Sequence, residues 1–79
     1  MNATVTKANG KIVKVKNLGW LLKHWKKVES FTLAKKAYSG EMVGHLKDNV
    51  TYRCQWASYN LMIEWLNRPV FRGVKIEYK

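Results

Sequence analysis

Val50-Thr-Tyr-Arg-Cys-Gln-Trp56 alternates cleanly, with Val50, Tyr52, Cys54 and Trp56 on one face and Thr51, Arg53 and Gln55 on the other. A period of two over seven residues marks a strand with one packed face and one wet face. Two further alternating runs precede it, Phe31-Thr-Leu-Ala-Lys-Lys-Ala-Tyr38 and Met42-Val-Gly-His-Leu-Lys47, separated by Ser39-Gly40 and Asp48-Asn49. Breaks this short connect neighbouring antiparallel strands, so the centre of the chain reads as a meander.

On both sides of the meander the period changes from two to about 3.6. Leu18, Leu21, Leu22, Trp25 and Val28 recur at three- and four-residue steps, which predicts a helix from Asn17, as N-cap, to about Lys27. Downstream, Ser58 can cap a second helix from Tyr59 to about Asn67, in which Leu61, Met62, Trp65 and Leu66 form an apolar arc that Pro69 ends.

Beyond the helices the signals thin. Asn9-Gly10 is a hairpin turn signal and Ile12 to Val15 reads as a strand, but the arm before it offers only Val5 as a substantial apolar residue. Residues 1–10 are therefore expected to be a loose partner strand or a disordered tail. After Gly73, Val74-Lys-Ile-Glu-Tyr78 alternates and gives a last strand. The expected fold is a single two-layer α+β domain, 1–79, in the order β-α-β-β-β-α-β. Both helices should pack on one face of an antiparallel meander. Its core should gather Leu21, Leu22, Trp25, Phe31, Leu33, Tyr52, Cys54, Trp56, Leu61 and Trp65.

At 79 residues the chain has room for one hydrophobic core, and 47% apolar residues suffice to form it. A single cysteine excludes an intrachain disulfide, and His24 and His45 with Cys54 are too few for a four-ligand zinc site. No cofactor is expected. The lone thiol and the lack of a signal-like or membrane-spanning apolar run lead us to expect a soluble, cytoplasmic protein without a membrane partner.

Fifteen Lys and Arg against five Asp and Glu give a formal charge of +10. A polyanion is the first partner such a charge suggests. Three patches could meet it. On the first helix, Trp20 falls opposite the apolar stripe at about 100° per residue, beside Lys23, His24 and Lys27, the pairing of aromatic and cation that unstacked bases and phosphates favour. On the wet face of the sheet stand Lys36, Tyr38, His45, Lys47, Arg53 and Gln55. After the second helix, Arg68 and Arg72 flank a proline-stiffened turn with Phe71, and guanidinium forks bind phosphates bidentately. Catalysis finds little support. Cys54 sits mid-strand on the apolar side, and Glu29, Glu41, Asp48, Glu64 and Glu77 are dispersed.

The order helix, three antiparallel strands, helix over residues 17 to 67 resembles double-stranded-RNA-binding domains, which are also small and basic. That family carries lysines at the start of its second helix, whereas Ala57-Ser-Tyr-Asn-Leu61 has none. The resemblance is topological and carries no residue roles over. The sequence thus leads us to expect a small basic, non-catalytic, nucleic-acid-binding accessory protein. The alternative is a protein-interaction module, such as a phage- or mobile-element-type regulator or inhibitor docking on a larger nucleic-acid-processing complex.

Overall fold

A computed structural model describes residues 2–79. The chain runs through β1 (Asn2–Thr6), β2 (Ile12–Lys16), α1 (Asn17–Lys23), a 3-10 turn (Trp25–Lys27), β3 (Val28–Lys36), β4 (Ser39–Leu46), β5 (Thr51–Trp56), α2 (Tyr59–Leu66), a second 3-10 turn (Pro69–Phe71) and β6 (Lys75–Tyr78). Six strands form one sheet in the order β2-β1-β5-β4-β3-β6. The β3-β4-β5 meander is present. Its alternation sends Phe31, Leu33, Met42, Leu46, Tyr52, Cys54 and Trp56 inward, where all are buried.

The amino-terminal arm departs from expectation. Asn2–Thr6 is neither loose nor disordered but an interior strand, paired antiparallel to β2 on one side and to β5 on the other. Opposite Cys54 and Tyr52, Ala3 and Val5 are buried. Two small inward residues suffice because α1 lies above this part of the sheet. The turn itself follows the sequence signal: Gly10 has φ 87° and Asn9 Oδ1 accepts the Lys11 amide at 2.9 Å.

The carboxy-terminal strand departs too. β6 pairs parallel to β3, with Phe31 opposite Ile76, so the sheet is mixed rather than purely antiparallel. Parallel neighbours need a long crossover, and β4, β5, α2 and the second 3-10 turn supply it.

The first helix is shorter than its apolar spacing suggests and is turned. His24 leaves helical geometry at φ −116°, and Trp25 to Lys27 tighten into a 3-10 turn that delivers the chain into β3. Asn17 is the first helical residue, not the cap, which is Lys16. Leu21 is buried while Leu22 is 43% exposed, and Trp20 packs against the core instead of facing solvent. Trp25 packs against the same core only partly buried.

The second helix follows its prediction more closely. Ser58 Oγ accepts the Leu61 amide at 3.3 Å, and Met62, Trp65 and Leu66 are buried. Leu61, however, is 58% exposed. Gly40 makes the packing close: a Cβ there would stand 3.0 Å from Met62 Cε. Trp65 meets Trp56 and Phe71 at ring-centroid distances of 5.9 and 4.5 Å. Leu21 of α1 and these α2 residues belong to one buried cluster with the inward strand residues. Trp56 Nε1 is buried without an acceptor among the described residues, an orphan donor costing about 1–3 kcal/mol. No described helix is long and apolar enough to cross a membrane.

Candidate functional site

Strand direction determines which connections meet. β1 ends where β2, β3, β5 and β6 begin and β4 ends. The β1–β2 turn, the chain leading into β3, the β4–β5 turn and the chain leading into β6 therefore crowd one end of the sheet. These segments carry Lys7, Lys11, Lys26, Lys27, Lys47 and Arg72 against one acid, Asp48. At the opposite end the β3–β4 and β5–α2 connections, residues 37–38 and 57–58, carry no charge. Among the described residues the only ion pair joins Lys75 Nζ to Glu77 Oε1 at 3.0 Å. The cations of the basic end are thus neutralised by no ion pair within the described chain.

Between the first three of these connections opens a slot of about 190 Å³. Its apolar lining is Val5, Val13, Leu46 and Val50; Trp20 and His24 form an aromatic wall, and Lys7, Lys27, Lys47 and Asp48 complete it. The wall is preassembled. Trp20 and His24 stack at 4.1 Å with an 18° tilt, and Trp20 lies nearly parallel to the buried Tyr52 ring at 6.0 Å. His24 Nδ1 stands 2.8 Å from the Trp20 carbonyl oxygen. A carbonyl can only accept, so Nδ1 carries the hydrogen and, in the neutral ring, Nε2 is the acceptor. Asp48 and Asn49 take positive φ, 64° and 61°, to close the β4–β5 turn, a geometry that short polar side chains tolerate.

The structure brings some of the expected site residues together and scatters others. Trp20 and Lys27 share the slot, but Lys23 is exposed in the last turn of α1 outside it. Trp20 is not a free stacking platform, because His24 and Tyr52 already engage its ring. Arg53 is exposed in the middle of the outer sheet face, between Thr4 and Val43. On the same face, His45 Nε2 lies 2.9 Å from Thr32 Oγ1. Lys47 belongs to the slot, and Tyr38 stands exposed in the β3–β4 turn. Lys36 lines a separate, open cleft of about 570 Å³ with Glu41, Gln55 and Trp56 at the uncharged-turn end. Arg68 borders a third, of about 220 Å³, with Trp56, Leu61, Glu64 and Trp65. Arg72 is exposed beyond the second 3-10 turn, and Phe71 is buried as a core plug.

Sequence reasoning passed over Lys7, which sat in the arm read as loose, and over Val13 and Val50 as lining residues. Cys54 is fully buried, and burial pushes its thiol above the ordinary range while a hydrogen bond with Tyr52 pulls the other way. Burial also drives the Tyr52 phenol far up. Both groups are neutral at ordinary pH. Among the described residues no group of three or more His, Cys, Asp and Glu is placed to hold a metal ion. No protein-family model, curated protein or solved structure matches this chain.

Proposed function

We propose that this protein binds nucleic acid, without catalysis, through the basic end of its sheet. The observation that carries this reading is the convergence of three lysines, Lys7, Lys27 and Lys47, from three separated segments around a slot with an apolar and aromatic lining, at the end of the sheet where Lys11, Lys26 and Arg72 also lie. Lysines gathered on the short connections of one sheet end need little backbone reordering on meeting successive phosphates. The binding energy comes largely from released counterions and falls steeply with salt. Surface lysines serving solubility alone would require no such convergence.

Anisotropy titrations of labelled DNA and RNA over a range of salt concentrations test this. Lys7→Ala, Lys27→Ala and Lys47→Ala should each weaken binding and shallow the salt slope by about one unit per lost phosphate contact. Lys36→Ala, at the other end, should leave the slope unchanged. Absence of binding at low salt, or equal effects from all four variants, would sink the proposal.

A second reading, a protein-interaction module that docks on a larger nucleic-acid-processing complex, is favoured by one place. Leu61 stands exposed beside Trp56, Trp65 and Arg68 around a shallow cleft, the aromatic and arginine composition of interface hot spots. Leu61→Asp would abolish such docking and leave salt-dependent nucleic-acid binding untouched.

A further inference from the structure

The proposed basic end could meet nucleic acid as a mere charged surface, but its slot has a size and lining that a phosphate track does not need. We infer that the slot holds one unpaired nucleobase while Lys7, Lys27 and Lys47 take the phosphates on either side, so that the ligand is a strand with a base outside a duplex. This inference rests on the nucleic-acid reading above.

The slot's volume, about 190 Å³, lies below the roughly 300–1,000 Å³ of pockets for drug-sized ligands. It suits a single ring system and not an extended molecule. Val5, Val13, Leu46 and Val50 supply no hydrogen bonds. A phosphate placed among them would lose its hydration without replacement, whereas a base is flat and apolar on both faces. Asp48 makes the same distinction. A carboxylate in the slot repels a phosphate, yet accepts from the ring or amino N–H groups that bases carry on their edges.

The cations stand where such a base needs them. Lys7 comes from the β1–β2 turn, Lys27 from the lead into β3 and Lys47 from the β4–β5 turn, so the apolar lining is flanked from three segments. A continuous duplex would satisfy the lysines and leave the slot empty, because its bases are stacked and paired out of reach. Extruding one costs a few kcal/mol, least for a nucleotide already unpaired.

The test uses three probes of one sequence: a continuous duplex, the same duplex with a single-nucleotide bulge, and that bulge with an abasic residue in place of the nucleotide. The last two carry the same number of phosphates. The bulged duplex should bind on the order of tenfold or more tighter than the other two, the gain expected from taking one base out of water against the slot's apolar side chains. Val13→Phe, which fills the slot from a half-buried position on the edge strand without removing a charge, should abolish that preference and keep the salt slope. Lys27→Ala should weaken all three probes alike. Equal, salt-dependent binding of the bulged and abasic probes by the unaltered protein would overturn the slot and leave the polyanion reading standing. Binding of none would overturn both. The probe comparison decides the matter even if Val13→Phe fails to fold.

Discussion

The two helices are nearly the same length, seven and eight residues, yet one lies close to what its apolar spacing predicts, Leu61 apart, and the other does not. α2 has its own start signal, Ser58, and its own stop, Pro69, with three buried residues at consecutive and three-residue steps. α1 begins directly from β2 with no side-chain cap and must deliver its end to the start of β3, four strands across the sheet. With fewer than two full turns, its inward face is fixed by where the chain enters and leaves. Leu21 and the half-buried Trp20 turn in, and Leu22 turns out. Period alone therefore orients a helix only when the helix is also free to choose its ends.

Four substitutions break or sharpen this contrast. The largest effect belongs to α2: Trp65→Ala should cost about 3–5 kcal/mol by opening a cavity between Trp56 and Phe71. Chemical denaturation measures it, and a loss below about 1 kcal/mol would mean the tryptophan cluster does not anchor the helix. Leu21→Ala in α1 should follow at about 3 kcal/mol, since Leu21 is fully buried. Ser58→Ala removes the cap on the Leu61 amide and should lower stability by about 1 kcal/mol. Leu22→Ala should fall within about 0.5 kcal/mol, as exposed positions do. The two leucines are the sharpest pair: if Leu22→Ala costs as much as Leu21→Ala, α1 lies as its spacing suggests and the slot wall is misplaced.

What the sequence made legible was local. Alternation in residues 31–56 placed three strands and their inward residues, because each turn joins neighbours and leaves a mark in the residues it uses. Ser58 and Pro69 bounded α2 for the same reason. The pairings β1 with β5 and β6 with β3 join segments tens of residues apart, and no residue within either segment names its partner. The slot is harder still to read. Lys7, Lys27 and Lys47 carry no common spacing, and only strand order brings them to one end. Trp20 has lysine neighbours on the helix, but a step of about 100° per residue predicts a ring turned away from the core side, where it in fact stacks on Tyr52.

The interior place of β1 also shapes how the chain is made. During synthesis β1 and β2 emerge before β5 and can close into a hairpin at once, but β1 must wait for Thr51–Trp56 before its second side is paired. Pairing across such a sequence distance is slow relative to local contacts. Until then the nascent hairpin offers an open strand edge, the usual template for association with another chain. Lys7, Lys11, Lys14 and Lys16 all lie on this hairpin. Like charges along a strand edge disfavour its pairing with a second copy, so these lysines work against edge-to-edge association while β1 is still unpaired on one side.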